Sequence, residues 1–125
     1  MIPGSSKDHP SFVRSFGYAI EGFITAVRTE RNINVMLLVG ALTVIAGLVI
    51  GLDLASWCII AICCGLVIHA ELCNTAIEAV VDLATSEMHL LAKRAKDIVA
   101  ASVYVLSITA AVVGILVFAH ALHLI

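Results

Sequence analysis

Residues 54–83 read LASWCIIAICCGLVIHAELCNTAIEAVVDL, and much of the fold follows from this run. The run is apolar and long enough to cross a membrane and emerge on the original side. It contains three acids and one amide, the last three of them three, seven and eleven positions after the first, which therefore share one face of a helix: Glu71, Asn74, Glu78 and Asp82. Ionisable groups at such depth are costly and usually mark function, so this stripe is the candidate site.

The composition places the whole chain in a membrane. Of its 125 residues, 62% are hydrophobic and only 13% are charged, and the mean hydropathy is +1.11. Soluble domains contain about 25% charged residues, so the chain is expected to be a single integral membrane domain. Its chemistry must then be built from the helices and the loops beside them. The cysteines lie in apolar surroundings and are interpreted as packing residues.

Hydrophobic periodicity predicts an all-α membrane protein with one surface helix and three spans. Residues 1–10 are polar and are expected to form a disordered tail. Apolar residues recur every three or four positions over 11–30, which predicts an amphipathic helix on the membrane surface. Apolar stretches predict transmembrane helices over 34–52, 54–84 and 97–120.

The basic residues give an independent test of this topology. All seven lysines and arginines lie either before the first span or between the second and the third. These two regions share a side of the membrane only if the chain crosses it three times. The positive-inside rule assigns that side to the cytoplasm, which puts Glu30, Glu78 and Asp82 near the cytoplasmic boundary.

Two chemistries remain open from the residues alone. A transporter would need polar groups that continue towards the far side of the membrane, but apart from His69 the outer halves of the spans are apolar. Phosphoryl transfer needs carboxylates for Mg²⁺, a lysine for phosphate and a carboxylate that accepts a hydroxyl proton, and all are present. The common glycine-rich nucleotide loops are missing from the sequence, so any nucleotide site would be unusual. Spacing alone favours transfer modestly over transport or a structural polar seam.

Two linked motifs resemble a known family. The first reads E-x-x-N-x-A-I-E-x-x-V-D from Glu71 to Asp82, and the second reads H-x-L-A-K-x-A-K-D from His89 to Asp97. Together they resemble the small prokaryotic integral-membrane kinases of diacylglycerol and undecaprenol, and the likeness covers nearly the whole chain. The residues at 29–32 look more like the undecaprenol kinase branch.

The resemblance implies a homotrimer in the bacterial inner membrane, with active sites shared between protomers and open to the cytoplasm. It implies ATP as phosphoryl donor, Mg²⁺ as cofactor, a lipid alcohol as acceptor and no nucleic-acid partner. Glu71 looks like the catalytic base that takes the proton of the lipid hydroxyl, with Asn74 as its hydrogen-bonding neighbour. Glu30 and Glu78 resemble the carboxylates that bind the metal.

The remaining nucleotide contacts are also carried over by resemblance. Lys96 is similar to the lysine that contacts phosphate, Asp97 to a residue near the ribose or adenine, and Tyr18 to a residue bordering the adenine. A plain interfacial tyrosine is the alternative for Tyr18. Asp82 is expected either to act in the site or to contact Lys93 or Arg94.

Three further points stay open at this stage. His89 is interpreted as a local hydrogen-bonding residue of the loop. His69 and Cys73 depart from the pattern of the family and could reshape the lipid pocket. Undecaprenol is the favoured acceptor and diacylglycerol the alternative, while a small transporter or a nonenzymatic membrane subunit is a more remote possibility.

Overall fold

The chain folds as four helices in a computed structural model that describes residues 11–125. The helices are α1 (Phe12–Thr29), α2 (Arg31–Ile50), α3 (Leu54–Ala84) and α4 (Leu90–Ala121). Within the described residues there is no strand, so the all-helical prediction is confirmed. The tail expected at residues 1–10 lies outside the described part of the chain.

Three of these helices have the length and apolar composition to cross a membrane. They are α2, α3 and α4, as the sequence predicted. Large apolar side chains on their outer faces are exposed in the single chain, for example Val49 on α2 and Ile108 on α4. Such surfaces are what lipid or neighbouring protein normally covers in a membrane.

Helix α4 begins seven residues before the start predicted for the third transmembrane helix. It starts at Leu90 rather than at residue 97, because a helix can begin in polar sequence before the apolar segment begins. Its first turns hold the ion pair between Lys93 and Asp97, four residues apart, which suits a solvated helix. The first span is also shifted, since α2 covers 31–50 instead of 34–52.

A tight reversal joins α2 to α3. Gly51 ends α2 in the left-handed conformation, with φ of 80°, and Leu52 N donates to Gly47 O at 3.2 Å. Asp53 then caps α3 by accepting a hydrogen bond from Ser56 N at 2.8 Å. Hydrogen bonds from the Ser56 hydroxyl and backbone hold the pKa of Asp53 below its ordinary value of 3.8.

Helix α3 is the centre of the fold, because it contacts each of the other three helices. The close approach of α2 requires a glycine at position 47, where a Cβ atom would lie 2.7 Å from the Trp57 ring. The opposite end of α2 is anchored by Ile33, which is fully buried. These contacts bring the junction of α1 and α2 to the polar half of α3.

Candidate active site

The chain buries polar side chains at the stripe that the sequence singled out. Among residues 11–125, the buried polar side chains are Glu71, which is 1% exposed, and Asn74, which is 8% exposed. Burying a carboxyl group without compensation is strongly unfavourable, so its neighbours must supply hydrogen bonds. This burial sets Glu71 apart from a carboxylate that simply decorates the surface.

Two more carboxylates gather around Glu71. Glu30 and Glu78 lie near enough to repel it through their charges, and the side chain of Asn32 lies close to its carboxylate. Glu78 is on α3, two turns after Glu71, whereas Glu30 comes from the junction of α1 and α2. The structure thus brings together the three acids for which roles were expected, and it adds Asn32.

The junction of α1 and α2 explains how Glu30 reaches α3. Glu30 is extended, with φ of −111° and ψ of 117°, and it is the single residue between the two helices. Asn34 Nδ2 donates to Val27 O at 2.7 Å and to Glu30 O at 3.0 Å. One amide therefore ties the end of α1 to the start of α2 and fixes the bend that carries Glu30.

The carboxylates suit a magnesium ion that substrate phosphates also bind, rather than a metal site built from protein ligands alone. No group of three or more His, Cys, Asp or Glu side chains in the described part of the chain is arranged to hold a metal by itself. Mg²⁺ in nucleotide enzymes is usually held by one or two carboxylates, with substrate phosphates and water as the other ligands. Glu30 and Glu78 meet that requirement.

The basic residues of α4 approach the same stripe from the loop side. Lys96 Nζ pairs with Asp82 Oδ1 and lies near Glu78. The sequence left two roles open for Asp82, one in the site and one in contact with Lys93 or Arg94. Lys93 pairs instead with Asp97 one turn later, because residues 90–97 are helical. Lys96 therefore faces the acids of α3, as a phosphate-binding lysine would need to do.

Two hollows lie along α3, an apolar one before Glu71 and a polar one after Glu78. The apolar groove has a volume of about 620 Å³ and lies between α2, α3 and α4. Its inner end includes Val67 and Ile68, one turn before Glu71. The polar cleft has a volume of about 780 Å³ and surrounds the loop between α3 and α4, with Asp82, Lys96 and Asp97 in its lining.

The remaining candidate residues are more scattered. Tyr18 is half-buried on α1 but lies twelve residues before Glu30, about 18 Å along a helix, so one chain does not bring it to the carboxylates. His89 Nδ1 accepts a hydrogen bond from Leu91 N at 3.1 Å, which confirms its local role as the cap of α4. His69 Nε2 contacts Cys73 Sγ at 3.6 Å on an outer face of α3.

Sequence reasoning missed Asn32, Asn34 and Thr75. The two asparagines lie just after Glu30, at the predicted break between the surface helix and the first span, but no role was assigned to them. Thr75 lies between Glu71 and Glu78 on the helical stripe, so the spacing that found the acids includes it as well. The atoms Thr75 Oγ1 and Asn74 Oδ1 are buried and have no hydrogen-bond partner among residues 11–125.

Comparison with known proteins identifies the family of the chain. The family described as prokaryotic diacylglycerol kinase matches residues 17–118. An undecaprenol kinase of Bacillus subtilis is 38% identical over 117 residues, which cover 90% of this chain and 95% of the relative. A diacylglycerol kinase of Synechocystis is 37% identical over 84% of this chain and 61% of its own length. A diacylglycerol kinase of Pseudomonas aeruginosa is 32% identical over 71% of this chain and 72% of its own length. The chain therefore belongs to the prokaryotic diacylglycerol kinase family of membrane lipid kinases.

Proposed function

We propose that the protein phosphorylates undecaprenol to undecaprenyl phosphate, with ATP as donor and Mg²⁺ as cofactor. The observation that carries the proposal is the buried Glu71 with Glu30 and Glu78 beside it, between an apolar groove and a polar cleft. The choice of a polyprenol is supported by the undecaprenol kinase of B. subtilis, which matches 95% of its own length. Diacylglycerol is the second candidate, supported by the relatives from Synechocystis and P. aeruginosa.

The two hollows suit the two substrates. The apolar groove can take part of a hydrocarbon chain, because it is lined by aliphatic and aromatic side chains such as Val39 and Phe118. The polar cleft offers Lys96 to the phosphates and Asp97 to the sugar or base of ATP. The alcohol at the end of the lipid and the terminal phosphate of ATP would then meet at the acids.

Glu71 is the general base of the proposed reaction. Its carboxylate accepts the proton of the lipid hydroxyl while the alcohol oxygen bonds to the γ-phosphorus. The bond between that phosphorus and the β,γ-bridging oxygen breaks, and ADP leaves. Asn32 and Asn74 orient Glu71, and Lys96 compensates charge on the phosphates.

Glu30 and Glu78 are the proposed metal ligands. Their carboxylates would hold Mg²⁺, which neutralises negative charge on the phosphates when it is bound. Catalysis of phosphoryl transfer consists mainly of positioning and electrostatic stabilisation. A small set of charged side chains and a metal ion can supply both.

The membrane setting follows from the helices and their charges. We place α2, α3 and α4 across the bacterial inner membrane, with the acids and the polar cleft at the cytoplasmic face. Helix α1 would lie on that surface, because Phe12, Phe16 and Ile20 expose apolar side chains that lipid could cover. Three copies would form a homotrimer with shared sites, and Tyr18 would then border the adenine of a neighbouring protomer.

The test is a kinase assay on the purified protein in one detergent, with ATP, Mg²⁺ and either undecaprenol or diacylglycerol. We expect phosphate transfer to require an added lipid alcohol, with undecaprenol the better acceptor by kcat/KM. Glu71→Gln should lower kcat by about 10²- to 10⁴-fold, whereas Glu21→Gln, a change at an exposed site on α1, should leave kcat unchanged. A folded Glu71→Gln variant with normal kcat would eliminate Glu71 as the base. Preference for diacylglycerol would reverse the choice of acceptor.

A further inference from the structure

The hydroxyl of Thr75 behaves unlike the other threonine hydroxyls within helices. Four threonines donate from Oγ1 to the backbone carbonyl four residues earlier, at 2.8 or 2.9 Å: Thr25, Thr29, Thr43 and Thr109. This bond is the usual way for a helical threonine to satisfy its hydroxyl. Thr75 Oγ1 does not make it, although the atom is buried. The hydroxyl of Thr75 is therefore turned away from the backbone and left with its hydrogen-bonding capacity unused.

An unused buried hydroxyl requires an explanation. Native proteins pair nearly all such groups, and the exceptions often have a functional cause. The neighbouring Asn74 Oδ1 is likewise buried without a partner. Two successive residues thus leave oxygens unpaired, and both lie within one turn after Glu71. Of the two, only the Thr75 hydroxyl can donate to the Glu71 carboxylate, because an amide oxygen only accepts.

The position of Thr75 on α3 brings its side chain next to Glu71. Residues four apart on a helix have Cβ atoms about 5–6 Å apart, so a hydroxyl at 75 can reach a carboxylate at 71. Helix α3 carries one other hydroxyl side chain, Ser56, which lies about four turns before Glu71, near the start of the helix. Glu71 is 1% exposed and needs hydrogen-bond donors, and the Asn32 side chain lies close to its carboxylate. Thr75 can supply such a donor.

We infer that Thr75 is a positioning residue for Glu71, whose carboxylate it holds by donating a hydrogen bond from Oγ1 in the substrate-bound enzyme. One carboxylate oxygen then accepts from Thr75, and the other is left to face the lipid hydroxyl. The inference rests on the proposed function, in which Glu71 accepts the proton of that hydroxyl. It adds a residue of α3 that touches neither the metal nor the nucleotide.

The test compares variants that keep or remove the hydroxyl. Thr75→Val preserves the shape of the side chain and should lower kcat by about 10- to 100-fold, because a hydrogen bond to a charged group is lost. The KM values for ATP and lipid should stay within about twofold, since binding is not changed. Thr75→Ser should recover most of the activity. Thr109→Val is the matched control, because its hydroxyl is bonded to Val105 O far from the acids, and its kcat should equal that of the wild type.

Stability measurements separate positioning from a purely structural role. Thermal unfolding of Thr75→Val in detergent should match the wild type, and Thr75→Ala provides a second variant without the hydroxyl if the valine variant folds poorly. Normal kcat in a variant without the hydroxyl, or Thr75→Ser as slow as Thr75→Val, would overturn the inference. So would a loss of kcat that follows a loss of stability. Failure of Thr75 alone, with Glu71→Gln still inactive, leaves the proposed function intact, whereas an active Glu71→Gln would remove its base.

Discussion

Replacing Ile33 with alanine should loosen the first turn of α2 and slow the reaction at the same time. Ile33 is 0% exposed and follows Asn32, whose amide lies near the Glu71 carboxylate. A cavity at residue 33 would let Asn32 move relative to α3. The variant is therefore expected to lose stability and kcat together, although Ile33 has no chemical role.

The loss in the free energy of unfolding depends on whether the helices separate into lipid or into water. In soluble cores, Ile→Ala costs about 2–5 kcal/mol, which combines a transfer part and a cavity part. The transfer part is about 0.8 kcal/mol for each of the three carbons removed. When helices separate within lipid, their side chains stay in an apolar environment, because lipid is as apolar as the protein core. The transfer part therefore contributes little to the cost of the mutation. The cavity part remains, and we expect about 1–2.5 kcal/mol.

The assay is unfolding of the purified protein in mixed micelles, followed by circular dichroism, with the kinase assay run in parallel. Ile45→Ala is the matched control, since Ile45 lies on the same helix and is 57% exposed. It should lose much less stability and no activity. Ile33→Val should fall between the wild type and Ile33→Ala. Equal losses for Ile33→Ala and Ile45→Ala would refute the packing argument.

Two further predictions concern the metal and the phosphates. Glu78→Gln should raise the Mg²⁺ concentration that gives half-maximal activity by about tenfold or more, because a ligand is lost, and an unchanged requirement in a magnesium titration would contradict the assignment. Lys96→Met should raise the KM for ATP several-fold with little change in stability, because its bond to Asp82 is a partly exposed ion pair. Arg94→Gln, which does not line the polar cleft, should leave that KM unchanged, and a similar rise in both variants would indicate a general effect of charge.

The sequence predicted the structure well in α3, because the helical period determines both the helix and which polar residues share one of its faces. Glu71, Asn74 and Glu78 recur at helical spacing within an apolar run, and the structure buries two of them. The bounds of α3 were predicted as 54–84 and are Leu54–Ala84, because Asp53 caps the start of the helix and the polar loop follows its end. Apolar length also identified the other spans.

The differences arise where tertiary contacts or local capping decide the structure. The start of α4 is set by the His89 cap and the pair between Lys93 and Asp97, whereas the sequence argument placed it where apolar residues begin. Asp82 selects Lys96 because α3 and α4 face each other there, and sequence spacing does not report such a pairing. The unpaired hydroxyl of Thr75 is visible only when the hydrogen bonds of the other threonines are known.

In the bend between α1 and α2, Glu30 is both the hinge residue and a carboxylate of the candidate site. Glu30 is the one extended unit in that junction, and Asn34 holds the carbonyl groups of Val27 and Glu30 together. A change in the tilt of α1 has to be absorbed by the φ and ψ angles of Glu30. On the proposed placement of α1 at the membrane surface, a bilayer of different thickness or curvature that changed this tilt would also change the distance between the Glu30 and Glu71 carboxylates.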